Sequence, residues 1–238
     1  MIKAVMFDLD GTLLPVNDDE FTKTYFGLLY KKASAYGYEK DSFIKTILKG
    51  VEYMRRNDGN ALNSDLFWKA YASEFGEEEV VKMKPVFDEF YFNEFRQAKV
   101  VCGENPWAAK VVRHCKEKGL KTIVSTSPFF PPQGVISRLE FMGLKKDDFD
   151  YITHYENTTY SKPDPRFFEE ILNNMGLKPD EVLMFGNNEL EDGMSTSGLG
   201  MKAFMVGDFI VESAEMQGKF RHLKFEEVCD VIDNELSN

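Results

Sequence analysis

At 238 residues with 43% apolar content, the chain has material for a sizeable core and lies far from the disordered range. A net charge of −11 excludes a basic nucleic-acid-binding or anionic-membrane-binding surface, because no basic excess exists to displace phosphate counterions. A phosphate-bearing ligand would meet a repulsive global field and need local positive charge from a lysine, a cation or backbone N–H groups.

The three cysteines, Cys102, Cys115 and Cys229, have no CxxC spacing, which fits a reducing compartment and gives neither a disulfide framework nor a zinc site. The N-terminus runs from one lysine straight into an apolar stretch without a signal-peptide h-region. No apolar run approaches the roughly 20 residues that a spanning helix needs. The expectation is a cytoplasmic protein with no membrane partner.

In chain order, Ile2 to Phe7 reads as a strand buried on both faces. It ends in Asp8-Leu9-Asp10-Gly11-Thr12, two carboxylates two residues apart. From Asp18 to about Ala98 the patterns turn helical. Phe21, Tyr25, Leu28 and Leu29 fall at helical spacing, as do Phe43, Ile47, Leu48 and Val51. Asn63-Ser64-Asp65 is a start signal, and Val80 to Phe95 continues the helical pattern. This stretch reads as a helical insertion whose aromatics pack a core.

From about Val101 strands and helices alternate. Pro106 to Lys118 reads as a helix stopped by Gly119, and Leu120 to Ser125 as a second strand ending in Ser125-Thr126-Ser127-Pro128. A helix around Val135 to Met142 is followed by a weaker strand at Tyr151 to His154. The loop Tyr160 to Pro165 leads into a helix from Arg166 to Met175. A strand at Glu181 to Phe185 ends in Gly186-Asn187, Lys202 to Val206 is a further strand, and Phe225 to Leu236 a terminal helix. Strands separated by helices predict a parallel sheet with right-handed crossovers.

In such sheets ligands bind at the carboxyl ends of the strands. Polar residues stand at several of these ends: Asp8 and Asp10, Thr126 and Ser127, and Asn187 with Asp192, while Lys162 precedes a helix. Each has a plain structural account. Asp8 and Asp10 could form an ordinary turn, Thr126 and Ser127 could start a helix, Lys162 could be solvated, and Asp192 could favour a helix N-terminus.

The order Asp-x-Asp-Gly-Thr, apolar strand plus Ser/Thr, Lys-Pro-Asp-Pro and Gly-x5-Asp resembles the haloacid dehalogenase (HAD) superfamily. The resemblance covers Met1 to about Leu14 and Val101 to Val206. It implies an α/β fold, with a Rossmann-like parallel-sheet core and an inserted α-helical cap, as in the phosphoglycolate phosphatase and β-phosphoglucomutase branches. The expected division is a core of residues 1–15 and 99–238 and a cap of residues 16–98.

The resemblance also implies roles. Asp8 would be the nucleophile that forms an aspartyl-phosphate, and Asp10 the acid and base for the leaving alcohol and the hydrolytic water. Thr126 and Ser127, with Gly11 and Thr12, would bind phosphoryl oxygens, and Lys162 would neutralise their charge and hold Asp8 ionised. Mg²⁺ would be held by Asp8, Asp10 through its carbonyl, Asn187 and Asp192, with hard oxygen ligands selecting that ion.

Asn187 stands where the family usually has Asp, which removes one formal charge from the metal site and predicts weakened Mg²⁺ affinity; Glu189 and Glu191 are near enough in sequence to compensate. Ser127 stands where many relatives carry Asn. The expected function is a Mg²⁺-dependent phosphatase acting on a small phosphorylated metabolite, as a monomer or homodimer. The alternatives are a phosphomutase of the same superfamily, a C–Cl dehalogenase (which needs neither Mg²⁺ nor the second carboxylate), and a non-catalytic metabolite-binding protein. The apolar Phe129-Phe130-Pro131-Pro132 is a candidate substrate wall, partner surface or packing segment beneath the cap.

Overall fold

The computed structural model describes residues 1–237. The last residue of the expected core segment, Asn238, lies outside the described residues. Among the described residues, six strands form one parallel sheet in the order β3-β2-β1-β4-β5-β6. These are β1 (Ala4–Phe7), β2 (Lys121–Val124), β3 (Tyr151–Ile152), β4 (Val182–Gly186), β5 (Lys202–Val206) and β6 (Arg221–Leu223).

All four residues of β1 are buried, which explains their unbroken apolar run: both faces of this central strand are covered. Successive residues serve opposite layers. Val5 and Phe7 pack with Val111, Val112 and Cys115 of α5 (Ala108–Glu117), and with Val228 and Ile232 of the terminal helix. Ala4 and Met6 pack with Phe167, Phe168 and Ile171 of α7 (Pro165–Met175).

Between β1 and β2 the chain forms α1 (Asp18–Ser34), α2 (Lys40–Arg55), α3 (Asn63–Phe75) and α4 (Glu77–Phe92), then a 3-10 turn over Glu94–Val101. Asn17 starts α1 by accepting the Glu20 amide at 3.1 Å. The chain leaves the sheet layer and returns to it side by side. Val16 bridges Cys102, and the Gly103 amide donates to the Pro15 carbonyl at 2.7 Å.

The start of α3 lies where the sequence signals it, but by another means. Leu62 is the cap residue, and the amides of Asn63 and Ser64 donate to the carbonyls of Thr158 and Tyr155. The fully buried Asn63 side chain donates to Thr158 Oγ1 and the Tyr160 carbonyl, both at 3.1 Å, and accepts Asn57 Nδ2 at 2.8 Å. The helical segment is thus tied to the loop that carries Lys162.

Following β2, α6 spans Pro132–Phe141. A π-helical turn (Glu189–Met194) runs into the short α8 (Ser195–Ser197), and α9 (Val228–Ser237) ends the described chain. Among the described residues no helix is long and apolar enough to cross a membrane.

Candidate active site

The carboxyl ends of β1, β2 and β4 lie flush. Phe7 pairs with Val124 on one side and with Phe185 on the other. Asp8 follows directly, its amide donating to the Phe185 carbonyl at 2.9 Å. Register alone therefore sets Asp8 between the loop bearing Thr126 and the loop bearing Asn187. One pocket is lined by Asp8, Asp10, Thr126, Ser127, Asn187 and Asp192, so most of the residues predicted from sequence converge.

Lys162 reaches the same point from behind. Its buried ammonium donates to Asp8 Oδ1 at 2.7 Å and to Asp192 Oδ1 at 2.5 Å. The second oxygen of Asp192 accepts the backbone amides of Asn187 and Asn188, both at 3.1 Å. Gly186 permits this approach, since a Cβ there would lie 2.3 Å from the Asp192 carboxyl.

One ammonium shared by two carboxylates neutralises only one of them, and the pKa values follow. Burial, aided by the charge of Asp192 and opposed by Lys162, pushes Asp8 up to about 7. Burial works against the charge on Lys162, yet the attraction of Asp192 and then of Asp8 outweighs it and holds the lysine above its usual range.

Gly11 and Thr12 lie beneath this pocket and do not line it. Thr12 Oγ1 is 3.3 Å from Asp8 Oδ2 and 3.4 Å from Asn187 Oδ1, so it braces the two side chains from below. Gly11 has φ of +80°, and a Cβ on it would sit 2.2 Å from Asn187 Nδ2. Asn187 Nδ2 itself donates to the Phe209 carbonyl at 2.8 Å. Asn187 therefore holds the loop after β5 through a donor that an aspartate lacks.

The two glutamates considered for compensation diverge. Glu191 lines the pocket, and burial raises its pKa. Glu189 turns away and is buried, accepting the Ser213 amide at 2.8 Å and pairing with His222 Nε2 at 2.9 Å. The π-helical turn carries its side chain away from the pocket that Glu191 and Asp192 line.

Three participants have no counterpart in the sequence reading. Arg138 of α6 is fully buried, and its Nη1 pairs with Asp10 Oδ2. Its Nε donates to the Gly134 carbonyl at 3.2 Å, and the guanidinium stacks 4.2 Å from the Phe130 ring centroid. Burial raises the pKa of Asp10, while Arg138 and then Lys162 pull it back. Asp18, in the first turn of α1, also lines the pocket, and burial followed by the charges of Asp10 and Glu191 pushes it up to about 6. Arg55, at the end of α2, is the sole cation among the lining residues, with its guanidinium 5.4 Å from the Phe129 ring centroid.

The pocket therefore brings the carboxylates of Asp8, Asp10, Asp18, Glu191 and Asp192 together. Among the described residues, no three His, Cys, Asp or Glu side chains form a metal cluster by themselves. A divalent ion would rest on carboxylates completed by amide and carbonyl oxygens and water. That hard donor set, with negative charge in excess of its cations, fits Mg²⁺ and no soft metal.

Residues 2–193 match the model of the haloacid dehalogenase-like hydrolases. The chain belongs to this family of enzymes. It is 35% identical over 65 residues to the glyceraldehyde 3-phosphate phosphatase of Methanothermobacter thermautotrophicus, a match spanning 27% of this chain and 29% of that one. It is 24% identical over 188 residues to a phosphorylated carbohydrates phosphatase of Thermotoga maritima, spanning 79% of this chain and 77% of the relative. Its fold is that of the β-phosphoglucomutase of Clostridium difficile, with a TM-score of 0.56, 20% identity and 100% of both chains covered.

Proposed function

We propose that the enzyme is a Mg²⁺-dependent phosphatase that hydrolyses a small phosphorylated metabolite through an aspartyl-phosphate on Asp8. The observation that carries this reading is the Asp8–Lys162–Asp192 bridge facing Asp10 and Thr126 across one pocket. The phosphatase names of its curated relatives support the same reading. Residues 1–15 and 99–238 serve as the core and 16–98 as the cap that closes over the site. The unpaired Cys102, Cys115 and Cys229 support a reducing, cytoplasmic setting.

Asp8 Oδ attacks phosphorus and the bond to the leaving oxygen breaks, placing the phosphoryl group on the carboxylate. Lys162 and Thr126 stabilise the phosphoryl oxygens as charge shifts onto them. Asp10, whose protonated form burial favours, gives its proton to the departing alkoxide. The same carboxylate then takes a proton from the water that attacks phosphorus, releasing phosphate and restoring Asp8. Asp8, the Asp10 carbonyl, Asn187 and Asp192 would hold Mg²⁺. When bound, that ion supplies the positive charge that lets a carboxylate approach a phosphate dianion.

The test is phosphate release across a panel of phosphomonoesters with Mg²⁺, for wild type and Asp8→Asn. The expected result is turnover that Asp8→Asn abolishes. Release that survives this substitution would refute Asp8 as nucleophile, and no release from any monoester would refute the hydrolase reading.

A further inference from the structure

A second chamber of about 210 Å³ adjoins the carboxylate pocket. Thr22, Tyr25, Arg55, Phe129 and Phe130 line both spaces, so a ligand with its phosphoryl group at Asp8 projects its remainder into this chamber. Beyond that junction the walls are Ile47, Leu48 and Val51 of α2 with Phe67, Phe87 and Pro131. Arg55, at the mouth, is the sole charged residue lining the chamber.

Polar groups border the chamber only at Thr22, Tyr25, Arg55, Tyr91 and Tyr155, and two of these are engaged with one another. Tyr25 and Tyr91 share a hydrogen bond of 2.8 Å between their hydroxyls. Burial pushes Tyr25 up to about 12 and also raises Tyr91 well above its usual range, so both stay neutral. A sugar's hydroxyl groups would surrender water against Ile47, Val51, Phe67 and Phe87, which offer them no hydrogen-bond partner. An apolar body loses nothing comparable. A cavity of about 150 Å³ lined by Leu, Ile and Phe accepts benzene, so this larger one has room for one ring with a short linker.

Resting on the phosphatase reading above, we infer that the substrate is the phosphate monoester of an apolar alcohol, with an aromatic or branched aliphatic body seated against Ile47, Val51, Phe87 and Phe130. Arg55 stands where the anionic and apolar parts of such a molecule meet. The segment Phe129 to Pro131 is thereby assigned as a wall shared by the two spaces. The prediction separates this enzyme from the two relatives named above, whose names specify phosphorylated carbohydrates and glyceraldehyde 3-phosphate.

The test has a kinetic arm and a binding arm. In the first, kcat/KM is compared for 2-phenylethyl phosphate, 3-methylbutyl phosphate, glycerol 1-phosphate and glucose 6-phosphate. The apolar esters are expected to exceed the polyols by about tenfold or more, the range in which apolar pockets discriminate. Val51→Ser should reduce that ratio. In the second, calorimetry compares 2-phenylethylphosphonate with methylphosphonate on the wild-type enzyme, and the phenylethyl compound is expected to bind at least about tenfold more tightly. A preference for either polyol phosphate, or equal binding of the two phosphonates, would overturn the inference. Tight phenylethylphosphonate binding without phosphate release from any monoester would refute the hydrolase reading and leave the ligand class standing.

Discussion

Arg138 and Asp10 form an ion pair between the first strand-end loop and α6, in which the arginine is completely enclosed while Asp10 stays partly exposed to the pocket. Burying a guanidinium is costly unless a carboxylate compensates it, so the partners depend on each other. Arg138→Met keeps apolar volume and removes the charge, leaving Asp10 without its counter-ion. The denaturant midpoint should report a loss of about 1–3 kcal/mol, partly restored by the double variant Arg138→Met/Asp10→Asn. Additive losses in the double variant would show that the two residues are not coupled.

Asn187 ties the loop after β5 through its amide nitrogen, while its oxygen lies 3.4 Å from the Thr12 hydroxyl. Asn187→Asp exchanges that donor for a charge. Without Mg²⁺ the variant should lose about 1–2 kcal/mol, since the Phe209 carbonyl loses its partner and faces a carboxylate. Its Mg²⁺ half-saturation for phosphate release should fall below that of wild type. An unchanged half-saturation would show that the missing charge does not limit metal affinity.

Asn63 links the helical segment to the Thr158–Tyr160 loop, two residues before Lys162. Asn63→Leu leaves the Tyr160 carbonyl, the Thr158 hydroxyl and the Asn57 amide without this partner. Unfolding should occur about 2–3 kcal/mol more easily, and kcat should fall as Lys162 loses its fixed position. Lost stability with unchanged kcat would confine the network to a structural role.

Burial lowers His154 from 6.5 to about 4, and its Nδ1 accepts the Glu156 amide, which requires the ring to be neutral. The unfolded chain therefore binds this proton at a higher pH than the folded one. The stability this group contributes is complete above pH 6.5 and is lost as pH falls toward 4. Between pH 7 and pH 5, wild type should lose about 1 kcal/mol more than His154→Gln in denaturant titrations, a figure discounted for partial exposure. Equal losses would remove His154 as the cause.

The strand ends were readable because a buried central strand must be apolar on both faces, which makes the two carboxylates after Phe7 conspicuous. Convergence of Thr126, Asn187 and Asp192 then follows from parallel order and flush register. Arg138 was missed because a lone arginine in a helix ordinarily extends into solvent. The available signal was its spacing, three residues after Val135 and one before Leu139, on the side those residues bury. Strand β6, Arg221-His222-Leu223, was also missed, since an edge strand exposed at two of its three residues has no apolar run. Glu189 lies close to Asp192 in sequence, yet the π-helical turn sends the two side chains to different partners, which spacing alone does not reveal.

The most direct test of the central claim uses Asp10→Asn with radiolabelled acetyl phosphate and Mg²⁺, quenched in acid. Acetyl phosphate releases a leaving group that needs no proton, so Asp8 should still accept the phosphoryl group while hydrolysis, deprived of its base, is slow. The account predicts about one label per enzyme, recovered on the peptide that carries Asp8 and absent from Asp8→Asn/Asp10→Asn. Label on another residue, or phosphate release with no labelled enzyme at any time, would contradict it.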